Sequence, residues 1–191
     1  DVTGVQTCAL PICLTHLDPL GRARMVDVTP KEVTHRRAIA RGKVFMQPDT
    51  TSLIARGSIS KGDVLAVARV AGIQAAKRAP DLIPLCHPLL VGSVFINFRI
   101  EDRYIEVEAQ VETVDRTGVE MEALTACTVA ALTIYDMCKS ADRSMVIGDV
   151  TLWEKTGGRS GTYRRDPLAE VDGGGLEGLG GLSGSDEDLG L

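Results

Sequence analysis

The chain has 191 residues, 44% hydrophobic and 25% charged, with a formal net charge of −5. That is the length of one domain with room for tails, and it contains no uninterrupted run of roughly 18 or more apolar residues, so no membrane span is expected. The negative charge is concentrated at the end: residues 166–191 hold seven acids and no base, and without them 21 basic residues face 19 acidic ones, a net of +2 that gives no ground for a nucleic-acid partner.

Five cysteines at irregular positions do not form a disulfide framework and fit a reducing compartment. Residues 1–13 have no helical or strand period and lack the basic start and long apolar run of a signal peptide. They read as a non-native leader. Residues 14–40 are polar, with Asp18-Pro19 and Thr29-Pro30 as turn signals, and are expected to be a flexible arm carrying the short run Met25-Val26-Asp27-Val28. The folded domain is expected over residues 41–165. Residues 166–191, with eight of the 20 glycines, are expected to be a disordered acidic tail.

Within the domain, residues 43–46 form a short apolar strand candidate stopped by Pro48. Asp49 to Thr51 offer caps for a helix over 51–56 that Gly57 ends. Ser60-Lys61-Gly62-Asp63 opens a second helix over 64–78, whose Val, Leu and Ala positions fall on one wide face, and Pro80 bounds it. Pro80, Pro84 and Pro88 make the following segment an extended, rigid connection around Leu85-Cys86-His87. Residues 94–100 and 105–111 alternate apolar and polar side chains as a strand pair joined at Glu101-Asp102-Arg103. Residues 117–139 then form an Ala-rich, largely buried helix, and residues 144–155 a last strand. Strand, helices, strand, strand, helix, strand is the split β-α-β order, an α+β fold with helices on one face of an antiparallel sheet.

The buried helix also carries charge. Glu120 and Glu122 stand at its start and Asp136 and Lys139 near its end, and such groups are costly on a buried helix unless paired or used. Glu122 and Asp136 are separated by roughly 21 Å along the axis, too far for a carboxylate dyad within one chain. Asp136 and Lys139, at i and i+3, can touch, as any structural ion pair would. Lys61 is either a solvated lysine or part of an anion site at a helix start. Lys77 and Arg78 answer a helix dipole. His87 is either structural or a donor on a rigid loop. Cys86 and His87 are adjacent with no second ligand pair, which disfavours a metal site. Lys155-Thr156-Gly157-Gly158-Arg159-Ser160-Gly161 could wrap an anion, but it is not a P-loop, and it is equally a plain exit from the domain. The residue types suit a polyphosphate ligand without naming a reaction.

The segments K-G-D-V, A-G-I-Q-A-A-K-R, D-L-I-P-L-C-H-P-L, T-G-V-E-M-E-A-L-T and A-A-L-T-I-Y-D-M-C-K, in this order, closely resemble the cyclic pyranopterin monophosphate synthase family of molybdenum cofactor biosynthesis. The resemblance covers about residues 14–165. It implies a ferredoxin-like subunit in a homohexamer, a trimer of dimers with sites at subunit interfaces, acting in the cytoplasm. The reaction it implies converts (8S)-3′,8-cyclo-7,8-dihydroguanosine 5′-triphosphate to cyclic pyranopterin monophosphate and diphosphate. By motif position, Asp136 and Lys139 would be catalytic. Leu85, Cys86, His87, Met121 and Glu122 would line the substrate site, and Lys61, Lys77 and Lys155 would meet the phosphates. No cofactor is implied beyond Mg²⁺ that could accompany the triphosphate. A non-catalytic nucleotide-binding module and an oligomeric scaffold are the competing readings, because fold alone does not fix function.

Overall fold

The computed structural model describes residues 20–166. In chain order the elements are β1 (Thr34–Phe45), α1 (Pro48–Ala55), α2 (Val64–Ala76), α3 (Ala79–Leu82), β2 (Ser93–Ile100), β3 (Tyr104–Asp115), α4 (Glu120–Cys138), β4 (Val146–Thr156) and β5 (Tyr163–Arg164). The strands form one sheet in the order β2-β3-β1-β4-β5, with every neighbouring pair antiparallel. β1 and β2 therefore run the same way with β3 between them, which is the split β-α-β arrangement. The fold is α+β, consistent with a ferredoxin-like subunit. β5, a two-residue edge addition, had no counterpart in the sequence pattern.

Alternation in β3 builds the core face. Ile105, Val107, Ala109 and Val111 are fully buried and stand opposite Val44, Gly42, Ala40 and Ala38 of β1. Small residues on both sides bring α4 down onto this face. A Cβ on Gly42 would lie 3.0 Å from Val150 Cγ2 and 3.1 Å from Cys127 Sγ. α2 packs as closely on α4: a Cβ on Gly72 would lie 3.0 Å from the Ala126 carbonyl oxygen and 3.3 Å from Ala130 Cβ. Each fully buried large side chain here, such as Ile105 or Ile134, contributes about 1.5–3 kcal/mol.

The opposite face of the sheet is polar and partly exposed. Arg41 pairs with Glu108 at 2.7 Å and stacks over Trp153, Lys43 meets Asp149 at 2.9 Å, and Arg99 meets Glu106 at 2.6 Å. Near Gly42 the β1–β4 register shifts, and Asp149 adopts φ 55°, so a bulge sits there.

Several boundaries differ from the sequence expectation. β1 begins at Thr34, so the end of the arm expected over 14–40 is strand. Its core-facing residues, Ala38, Ala40 and Gly42, are too small to give an apolar signal, and Arg37, Arg41 and Lys43 occupy the other face. Pro80 opens the one-turn α3 instead of an extended connection, as proline can at the first helical positions. α1 likewise starts at Pro48. By length and composition α4 alone among the described helices could cross a membrane, yet it is the core helix of the sheet. The leader 1–13 and all but Asp166 of the expected tail lie outside the described residues.

Candidate active site

Helix α4 positions two separate clusters, one at each end. α2 runs antiparallel to it: Gly72 lies against Ala126 and Ala130, and the loop before α2 reaches the α4 C-terminus. The loop after α3 therefore returns to the α4 N-terminus.

At the N-terminal end, Leu85, Cys86, His87, Met121 and Glu122 line one cavity of about 400 Å³, together with Val26, Val28, Lys31, Thr117, Gly118 and Glu120. Glu122 is 1% exposed. Its Oε1 accepts from Cys86 Sγ at 3.4 Å, while Oε2 is buried without a hydrogen-bond partner. Burial pushes the Glu122 carboxyl above its ordinary value, opposed by its backbone and Cys86 hydrogen bonds. Burial first, and then the Glu122 charge, push the Cys86 thiol up to about 12. His87 Nε2 lies 2.7 Å from the Val26 carbonyl oxygen. A carbonyl only accepts, so Nε2 is the protonated nitrogen, and the arm is held across the cavity by this bond. Lys155 Nζ reaches the cavity rim, 3.4 Å from Glu120 Oε1.

At the C-terminal end, Asp136 sits between two lysines. Lys139 Nζ is 2.7 Å from Oδ1, and Lys61 Nζ is 3.0 Å from Oδ2 and 2.7 Å from the Asp136 carbonyl oxygen. The carboxylate is 59% exposed in the single chain. Hydrogen bonds from Lys139 and then Lys61 hold Asp136 below the usual carboxylate range, and Asp136 raises Lys139 in turn. Both shifts favour the charged forms. Lys61 and Lys139 also line a cavity of about 430 Å³ with Tyr135, Ser140 and Arg143.

A sequence model of the MoaC family matches residues 25–158, from the start of the cavity-covering arm through α4 to the glycine turn after β4. The chain belongs to the MoaC family. It is 61% identical over 155 residues to the cyclic pyranopterin monophosphate synthase of Thermomicrobium roseum, covering 80% of this chain and 93% of that one. It is also 61% identical over 155 residues to the synthase of Roseiflexus sp. (strain RS-1), covering 80% and 98%. Cyclic pyranopterin monophosphate synthase 3 of Mycobacterium tuberculosis is 58% identical over 168 residues, covering 86% and 94%.

Against this MoaC background the expected site residues fall into two groups. Leu85, Cys86, His87, Met121 and Glu122 share a cavity with Lys155 at its edge; Asp136, Lys139 and Lys61 share the other end. Lys77 follows the last residue of α2 and is exposed, on the Glu122 side of the helix pair. One MoaC chain therefore does not gather the acid–lysine cluster and the Glu122 cavity into a single pocket. Lys31, Val26 and Val28 were not foreseen as cavity residues. Their signal was the Met25-Val26-Asp27-Val28 run, read only as part of an arm. Arg143 was also missed, because nothing in the loop after α4 marks it. Among the described residues, no group of three or more His, Cys, Asp or Glu side chains is placed to hold a metal.

Proposed function

We propose that this chain is a cyclic pyranopterin monophosphate synthase, a lyase of molybdenum cofactor biosynthesis. It converts (8S)-3′,8-cyclo-7,8-dihydroguanosine 5′-triphosphate to cyclic pyranopterin monophosphate and diphosphate. The observation that carries this reading is the pairing of two features on α4 of a MoaC chain. One is a partly apolar cavity containing a buried carboxyl with an unpartnered oxygen. The other is a carboxylate held by two lysines.

The cavity at Glu122 suits the flat purine-derived ring. Leu85 and Met121 supply apolar walls, and Glu122, Cys86 and His87 supply polar edges. The cluster at Asp136 suits proton traffic and negative charge. Its carboxylate is held ionised and so can accept a proton, and the lysines are donors to developing oxyanions. Closing the cyclic phosphate joins a sugar hydroxyl oxygen to the α-phosphorus and breaks the α-phosphorus bond to the bridging oxygen. The hydroxyl proton passes to a base, and the bond pair leaves with diphosphate. Mg²⁺ would accompany the triphosphate as part of the substrate.

The two ends of one α4 are roughly 21 Å apart, so the active site takes the Glu122 cavity from one subunit and the Asp136 cluster from another, in a homohexamer. Free Cys86, Cys127 and Cys138 fit action in the cytoplasm. Incubation with the cyclised triphosphate tests the function. Release of diphosphate together with a pterin that oxidises to a fluorescent product is expected. Binding without either product would leave a nucleotide-binding module and sink the enzyme.

A further inference from the structure

Beside the Glu122 cavity runs a second groove of about 570 Å³, lined by Pro30, Lys31, Glu32, Thr34, Arg36, Gly158, Arg159 and Ser160. Lys31 lines both spaces. Lys155 joins them as well, with Nζ 2.7 Å from Ser160 Oγ in the groove and 3.4 Å from Glu120 at the cavity rim.

The groove has three cations and one acid, and among the described residues its cations are not neutralised. Within those residues Arg36 donates to backbone carbonyls alone, those of Asp115 at 3.3 Å and Arg116 at 3.1 Å. Among the described residues neither Lys31 nor Arg159 has an ion-pair partner, and Glu32 is exposed. The glycine turn is laid directly on Arg36. Gly157 and Gly158 have φ 94° and 72°, and a Cβ on either would run into the His35 carbonyl oxygen or the Arg36 guanidinium. Only glycine allows that approach. The turn thus lies against a guanidinium already held by two carbonyls, with Gly158, Arg159 and Ser160 lining the groove beside it, an arrangement that favours an anion with several oxygens.

We infer that this groove seats the diphosphate leaving group, with Lys31 as the bridge between ring cavity and phosphate groove. The inference rests on the reaction proposed above. Departing diphosphate carries away the bond pair from the α-phosphorus, and Lys31, Arg36 and Arg159 are the unpaired charges beside the ring cavity that can receive it.

The test is titration calorimetry with inorganic diphosphate and with orthophosphate. The full-length protein and its Lys31→Ala and Arg159→Ala variants are compared, with melting temperatures recorded for each. Arg36 is left intact because it ties backbone carbonyls. The wild-type protein should bind diphosphate more tightly than orthophosphate. Each variant should bind diphosphate about tenfold more weakly or worse, as for loss of a charge-assisted contact, at unchanged melting temperature. Diphosphate should also inhibit turnover less in the variants. Equal affinity in variants and wild type, or orthophosphate bound as tightly as diphosphate, overturns the assignment while turnover of the cyclised triphosphate stands. Absence of turnover in the wild-type protein overturns the reaction and the leaving group with it.

Discussion

Replacing Glu122 by Met should stabilise the protein while removing its activity. The side chain is 1% exposed, and Oε2 has no partner. The bonds its carboxyl does receive come from its own backbone and, at 3.4 Å, from Cys86 Sγ, a weak donor. A buried polar atom left unpaired costs about 1–3 kcal/mol, more when charged, and a well-packed apolar residue of similar size removes that cost. Met is unbranched and matches Glu in length. Glu122→Met should therefore gain about 1–3 kcal/mol, or roughly 3 °C in melting temperature per kcal/mol for a chain of this size.

The pH dependence supplies a second reading of the same experiment. Burial raises the folded-state value of Glu122 above its ordinary 4.5, so between the two values the folded protein binds more protons than the unfolded chain. Wild-type stability then falls as pH rises from 4.5 through the raised value and stays lower above it. Glu122→Met lacks this loss, and its advantage should grow over that window. Thermal melts from pH 4 to 8 alongside turnover assays decide the matter. A variant less stable than wild type at pH 8, or one whose advantage is independent of pH, would refute the account of Glu122 as a buried, under-bonded acid.

Asp136→Asn should keep substrate binding and lose about 10²–10⁴ in turnover, the usual range for a positioned acid or base, measured by single-turnover kinetics. Because its lysine partners hold Asp136 below 3.8, its ionised form persists through mildly acid pH, so Asp136 should give the wild-type enzyme no acid limb above pH 3.8. Gly72→Val should lower stability by about 1–3 kcal/mol through overpacking, since even a Cβ there meets the Ala126 carbonyl oxygen at 3.0 Å; an unchanged denaturation midpoint would show that α2 and α4 can part freely. Thiol labelling at pH 8, mapped by peptide mass, should find Cys86 and Cys127 unreactive, since burial lifts both thiols to about 12.

The helix-facing pattern of β2 and β3 was legible because Val94, Ile96, Phe98 and Ile100, and then Ile105, Val107, Ala109 and Val111, recur at every second position between mostly polar residues, and the α4 core face because its alanines cluster. β1 was legible only where Val44 appears; upstream its core-facing positions are Ala38, Ala40 and Gly42, which carry no hydrophobic contrast, and buried Ile39 stands alone between them without setting an alternation. Glu120 and Glu122, two residues apart in one E-M-E step, look alike in sequence. Their surroundings separate them. Glu120 folds back over Gly118 to meet Lys155, while Glu122 turns inward beneath Cys86. The Asp136–Lys139 pair followed from helical spacing, but Lys61 as the second partner required the antiparallel packing of α2 on α4. Lys31 was invisible for the same kind of reason: only the fold brings the arm across His87.

The opposite environments of the two acids bear on how the enzyme is assembled. Burial holds Glu122 toward its neutral form, whereas Lys139 and Lys61 hold Asp136 toward its charged form. One is thereby suited to donate and the other to accept. Both can serve one ligand only if different subunits supply them, given roughly 21 Å between them along a single helix. Subunit mixing puts a number on this. When Glu122→Ala and Asp136→Asn chains are unfolded together and reassembled in equal amounts, a shared site is intact only if its Glu122 half comes from the second variant and its Asp136 half from the first. Random pairing makes that about a quarter of sites, so about a quarter of wild-type activity should return from two inactive parents. If each chain carried its own complete site, mixing would restore nothing. A mixed preparation that remains inactive, with oligomers shown by mass spectrometry to contain both variants, would place both acids in separate duties on one chain.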